Sequence, residues 1–233
     1  MHDHEMYLRA LSRFSKLLLT SYDVDSVLGE LASQCAEILD LVGSGVSLGR
    51  GDKVSYATAV PAQVAALEHT QQTTQTGPCV HAYRTGEVVA VDDLADQATT
   101  WPEYCRVARE VGIGAVAALP MTLGGQRVGS LDLYSVLPRK WEDEDLLAAG
   151  VLADMGTAYL INASQLDRQV QLAGQLRSAL DSRVVVEQAK GILANRAGIS
   201  VDEAFLRIRK HAREHQAKLH EVAAAIVNLG LDL

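Results

Sequence analysis

Five cations, Arg207, Arg209, Lys210, Arg213 and Lys218, fall within twelve residues near the end of this chain, against one acid, Glu214. His211, His215 and His220 stand among them. Two further cations, Arg183 and Lys190, precede them on another helix-like run. At helical spacing Arg209 and Arg213, four apart, share a face, and so do Arg183 and Lys190, seven apart. Cations grouped in this way suit a phosphate backbone, because each neutralised phosphate releases condensed counterions. A solvated helix face carries the same charges, so the charges alone leave both readings open. Lys190 is followed by Gly191 in the middle of its helical run. An interior glycine costs a helix about 1 kcal/mol relative to alanine, which predicts a close approach there by another helix or by a ligand.

The reactive side chains of the remainder are sparser. Cys35, Cys79 and Cys105 are odd in number and widely spaced, which fits neither a disulfide framework nor a tetrahedral zinc pattern. Cys79 and His81 flank Val80 after a Gly77-Pro78 turn and are candidate ligand-pocket residues, as are Trp101, Tyr104 and Asp132. Structural roles for all five are equally open. No metal is implied, and the cofactor is unknown.

Charge divides the chain. Residues 1–177 hold 13 basic and 22 acidic side chains; residues 178–233 hold 8 and 7. With a net charge of −8, most of the surface repels nucleic acid, and any such binding must concentrate at the C-terminal end. The longest apolar runs are too short to span a bilayer, and the N-terminus lacks the pattern of a secretory signal. A cytoplasmic protein without membrane contact is expected.

These groups must be held by two kinds of architecture. Residues 4–20 and 24–40 read as amphipathic helices, the second capped by Asp23. GVSLGR and KVSYATAV form a hairpin about Gly51-Asp52, and PAQVAALEHTQQTTQT is a polar, helix-compatible stretch. EVVAVDDL reads as a strand, a short helix ends near Val111, and IGAVAALPMTL pairs with QRVGSLDLYSV across Gly124-Gly125. Five or six strands flanked by helices make an α+β domain with an antiparallel sheet. From Trp141 the pattern is helical. Tyr159, Leu166, Ala173 and Leu180 repeat every seven residues, interleaved with Ala163 and Val170, which predicts a coiled-coil seam in a homodimer, although Arg177 interrupts it. Gly198 stands at a helix C-cap, and Ser200 with Glu203 forms a capping box. A last helix starts near Leu219, giving a three-helix bundle. In it Val185, Ala189, Ile192 and Leu193 face Ala204, Phe205, Ile208 and Ala212, with Gly191 leaving room between the basic borders.

The run VVVEQAKGILANRAGISVDEAFLRIRKHAREHQAKLHEVAAAIV resembles the ANTAR domain of bacterial transcription antitermination regulators over about residues 180–228. The anchors are Ala189-Lys190-Gly191, Ala204-Phe205, Ile208-Arg209, Ala212 and Val222-Ala223. The resemblance implies a module that binds paired RNA stem-loops and suppresses a terminator. Lys190, Gly191 and Arg209 match motif positions implicated in RNA contact; Ala189 and Ala204 match packing positions. Arg183, Arg207, Arg213 and Lys218 are added from charge and geometry. With Phe205 read as core, no exposed aromatic is expected in the basic stretch, and base stacking falls to arginine planes.

GPCVHAYRTGEVVAVDDL, ATTWPEY and ALPMTLGGQRVGSLDLYS are similar to a GAF sensor domain, and the order of the two domains matches GAF–ANTAR proteins. The expected division is a GAF domain at 1–165, a connecting helix at 142–180 and an ANTAR bundle at 178–233. GAF pockets hold varied small ligands, and the fold does not name the ligand. The Cys-His dipeptide of bilin-binding relatives is interrupted by Val80, and no cyclic-nucleotide motif is evident. The expected function is a homodimeric RNA-binding antiterminator whose GAF domain takes a small-molecule or protein input. The alternatives are a GAF-fold enzyme of the methionine sulfoxide reductase kind, a protein-binding module without RNA affinity, and a DNA-binding helix-turn-helix.

Overall fold

The computed structural model describes residues 4–20 and 23–233, except for the side chains of His4, Met6, Leu18, Leu19, Thr20, Asp167 and Ala179. Its described elements are α1 (His4–Thr20), α2 (Val24–Ile38), β1 (Gly43–Arg50), β2 (Lys53–Val60), α3 (Ala65–Thr74), α4 (Pro78–Thr85), β3 (Val89–Val91), α5 (Pro102–Glu110), β4 (Ala115–Leu123), β5 (Gln126–Ser135), α6 (Asp143–Ala197), α7 (Val201–Glu214) and α8 (Leu219–Leu229). They divide into two compact units that meet in sequence between Gln165 and Leu166, inside α6.

The first unit is built on a five-stranded antiparallel sheet of order β2-β1-β5-β4-β3. Gly124 and Gly125, both at positive φ, make the two-residue turn between β4 and β5. Strand residues point alternately to the two faces. On one face Val46, Ala117, Leu119, Leu131 and Leu133 pack against Phe14, Leu28, Leu31 and Leu152 from α1, α2 and α6. On the other, Val116 and Tyr134 pack with Leu67 of α3 and Tyr104 and Ala108 of α5. Both faces are therefore covered, and the alternation Ser130-Leu131-Asp132-Leu133-Tyr134 buries polar as well as apolar side chains. Asp23 caps α2 by accepting from the amides of Asp25 and Ser26. Gly77-Pro78, read from sequence as a turn, starts a helix instead: Pro78 occupies the first turn of α4, where its missing N–H costs nothing.

The second unit is all helical. Its first helix is the C-terminal part of α6, which continues without a break from the first unit, so the connecting helix and the first helix of the bundle are one element. Ala189, Leu193, Ala204, Ile208, Ala212, Val222, Ala223 and Ile226 form its core. Gly198 adopts a left-handed conformation after α6, and the Ser200 hydroxyl accepts from the Glu203 amide at 3.1 Å to start α7.

Among the described residues one helix, α6, is long and apolar enough by length and composition to cross a membrane, which short-run reading missed. Ala149, Leu152, Ala153 and Leu160 from this helix lie in the core of the first unit. Between that core and the core of the second unit, Leu166, Val170, Leu172, Leu176, Leu180 and Val184 are each more than half exposed.

Candidate nucleic-acid interface and buried sensor cluster

In the second unit the basic residues divide into two groups. Arg209 and Arg213 line a groove of about 440 Å³ together with Phe205, Ala212, Gln216, Ala217 and Leu219. Lys190 reaches over the Phe205 ring, its ammonium 5.4 Å from the centroid, and Glu187 holds it at 2.8 Å. Arg183 lines a neighbouring groove with Val186, His220 and the same Leu219. Arg209 and Arg213 therefore line one groove and Arg183 its neighbour, while Lys190 lines neither and lies over the Phe205 ring. Arg183, Arg209 and Arg213 make no ion pair among the described residues.

Arg207 is different. It lies 3.5 Å from both Glu203 and the Leu233 carbonyl oxygen, and it does not line the Phe205 groove. Lys218 is exposed at the start of α8, where its backbone amide donates to Glu221, and it lines neither groove. Phe205, expected in the core, is only half-buried at the rim, while Ala189, Ala204, Ile208 and Ala212 are buried as packing residues. The helical phase explains this. Position 205 follows Ala204 by about 100° of rotation, which carries the ring from the centre of the packing face to its edge. Of the two approaches expected at Gly191, that of a neighbouring helix is not observed, since a Cβ built there meets no described atom beyond its own stretch of helix within 4 Å. The bundle itself does not need this glycine.

Of the dimer-seam residues, Tyr159 is partly buried against the core of the first unit, and Ala163 is half-buried. Leu166, Val170, Ala173 and Leu180 are exposed.

In the first unit Cys79, Tyr104 and Asp132 are buried, and the space between sheet and helices is taken by the chain's own polar groups. The Ser47 hydroxyl donates to Glu68 at 2.8 Å, and Tyr134 donates to the other Glu68 oxygen at 2.7 Å. Gln71 donates to Asp132 at 3.0 Å and accepts from the Cys79 amide at 2.8 Å, while Ser130 donates to Asp132 at 2.8 Å. Gly45 pairs with Asp132 across β1 and β5, and a Cβ there would lie 1.9 Å from a Glu68 oxygen. That glycine makes the room that brings the two carboxyls together. His81 is exposed on α4, and Trp101 is half-buried at the edge of the apolar cluster, so neither joins this group.

A GAF domain model matches residues 23–160, and an ANTAR domain model matches residues 174–227. The chain belongs to the GAF–ANTAR proteins. Its ANTAR module marks it as an RNA-binding antitermination regulator, and its GAF module is a sensor. No curated protein matches the chain. Several solved structures share the GAF fold. The GAF domain of a phosphoenolpyruvate-protein phosphotransferase from Coxiella burnetii is 14% identical, with a TM-score of 0.56 over 71% of this chain and 99% of that one. A free methionine-R-sulfoxide reductase from Neisseria meningitidis is 19% identical, with a TM-score of 0.53 over 69% and 91%. The GAF domain of the cyanobacteriochrome TePixJ is 20% identical, with a TM-score of 0.50 over 63% and 94%. These likenesses show the fold alone.

In this GAF–ANTAR protein all three cysteines are buried, and burial pushes each thiol above its ordinary value. A nucleophilic cysteine needs the opposite environment, accessible and with its pKa lowered. The domain pair thus indicates a regulator rather than an enzyme, although one GAF neighbour is a reductase.

The buried carboxyls titrate abnormally. Burial, then repulsion from Asp132, pushes Glu68 well up, and burial raises Asp132 to about 6. A carboxyl whose folded pKa exceeds its unfolded one stabilises the fold at low pH, and this contribution is lost as pH rises through the folded value. In chelator, the GAF unit is expected to melt several degrees higher at pH 5 than at pH 7, and Asp132→Asn should reduce that difference, leaving the share that burial of Glu68 contributes. Thermal unfolding followed by circular dichroism checks both. A wild-type midpoint that falls on acidification over this window would contradict the titration.

The sequence reading missed Glu68, Gln71 and Tyr134. The available signals were Gly45 inside a strand and the i, i+3, i+4, i+7 series Val64, Leu67, Glu68 and Gln71, all buried.

Proposed function

We propose that the protein is a homodimeric antiterminator that grips paired RNA stem-loops through the groove around Phe205. In this reading Lys190, Arg183, Arg209 and Arg213 supply phosphate contacts and arginine planes, and Phe205 offers a stacking face. The carrying observation is that three cations, without carboxylate partners among the described residues, border grooves meeting at Leu219 beside an accessible aromatic ring. Arg207 and Lys218 play a smaller part, as electrostatic background.

The open apolar side chains of α6 support pairing with a second copy. Leu166, Val170, Ala173 and Leu180 follow a heptad, and exposed apolar faces of this length are covered in stable proteins. Input at the GAF domain, from a small molecule or a protein, alters this pairing and with it the presentation of two ANTAR modules. Switching of this kind requires that the input bind one state more tightly than the other.

Stem-loop RNA titrated into the full chain tests the reading. Arg209→Ala is expected to weaken binding and to lower the slope of log affinity against log salt by about one unit. Leu166→Lys with Val170→Lys should convert dimer to monomer in sedimentation and lower affinity for paired stem-loops more than for a single one. RNA affinity that ignores both salt and Arg209→Ala would point to a protein-binding module instead. Equal competition by duplex DNA would favour the helix-turn-helix alternative.

A further inference from the structure

The core of the GAF unit holds two carboxyls and a thiol with no cationic side chain paired to them among the described residues. The nearest ligand atoms of Glu68, Cys79 and Asp132 lie within 4.8 Å of one another, and all three residues are buried. Three points so spaced share a common centre no more than about 2.8 Å from each, close to the roughly 2.0–2.3 Å that zinc requires with oxygen and sulfur ligands. A second observation points to the same centre. The Tyr104 hydroxyl is fully buried and makes no hydrogen bond of ordinary geometry among the described residues, although Tyr134 is near, and the groups that act on it electrostatically are Asp132, Glu68 and Cys79.

We propose that Glu68, Asp132 and Cys79 form a binding site for a divalent cation of the zinc type, with Tyr104 or a water completing the set. One thiolate and two carboxylates suit zinc and its neighbours rather than magnesium or calcium, which prefer oxygen alone. The outer hydrogen bonds of such a site already exist. Gln71 ties the Cys79 amide to Asp132, Ser130 holds the second Asp132 oxygen, and Ser47 with Tyr134 orients Glu68. Binding forms metal–sulfur and metal–oxygen bonds and releases the Cys79 thiol proton together with any proton held between the carboxyls; nothing is oxidised or reduced. The proposal is independent of RNA binding by the second unit.

Cobalt(II) is the probe, because a thiolate ligand gives it a near-ultraviolet charge-transfer band. Tag-free full-length protein, stripped with chelator, is loaded both by long incubation and by refolding in cobalt. The expected result is about one equivalent bound, with a thiolate band displaced by zinc. Cys79→Ser should abolish the band, whereas Cys105→Ser should leave it. Glu68→Gln and Asp132→Asn should weaken binding about tenfold or more, a loss that removal of outer-shell partners alone can reach. Both variants remove a buried charge, so circular dichroism melting should show folded protein without metal. Failure of the folded wild type to bind cobalt by either route, or a band that survives Cys79→Ser, would overturn the proposal.

Discussion

Gly191→Ala is expected to make the protein more stable and its RNA complex weaker. Alanine exceeds glycine in helix propensity by about 1 kcal/mol, and beyond its own stretch of helix the added methyl meets no described atom within 4 Å. For the helical unit this corresponds to a rise in unfolding midpoint of several degrees. A glycine at a site where alanine fits and stabilises is explained if something outside the chain must come close. Gly191 adjoins Lys190, whose ammonium hangs over Phe205, so the approaching surface in the proposed complex is the RNA. The expected loss of stem-loop affinity is about tenfold, measured beside the melting curve of the same sample. A variant that gains stability and keeps its affinity would remove Gly191 from the interface.

Phe205→Ala is expected to have the larger effect on RNA. Stacking of a base on an aromatic ring contributes about 1–3 kcal/mol, or roughly 5- to 150-fold in affinity. Because Phe205 is half-buried at the rim and absent from the core of the bundle, its removal should cost less stability than truncation of Ile208, which is fully buried. Phe205→Tyr should restore affinity, since the ring face is retained; Phe205→Leu should not. Equal affinities for the leucine and tyrosine variants would show that the side chain only supports Lys190.

The elements of this chain announce themselves where local chemistry acts alone. Gly124-Gly125 dictates a tight turn, Asp23 caps a helix, and Gly198 with Ser200 and Glu203 ends one helix and starts the next. Legibility fails where burial overrides polarity. The stretch holding Glu68 and Gln71 is polar, yet both side chains face the sheet, because Gly45 opens space and Ser47, Ser130 and Tyr134 supply partners from distant strands. No local pattern reveals partners so far apart in sequence. The same limit applies to the basic site. Charge and spacing singled out Arg209 and Arg213, which line one groove, but composition could not separate Arg207, drawn toward Glu203 and Leu233, from its neighbours. Phe205 shows the converse error: an apolar residue next to core positions was read as core, although one step around a helix decides its exposure.

Within the second unit the exposed heptad at 166–180 and the packing face at Ala189 and Leu193 share one helix without a proline, so their angular phase is set at about 100° per residue. In the proposed dimer, cutting one residue between Leu180 and Ala189 should therefore weaken binding of paired stem-loops far more than cutting seven, which returns the face almost to its starting phase.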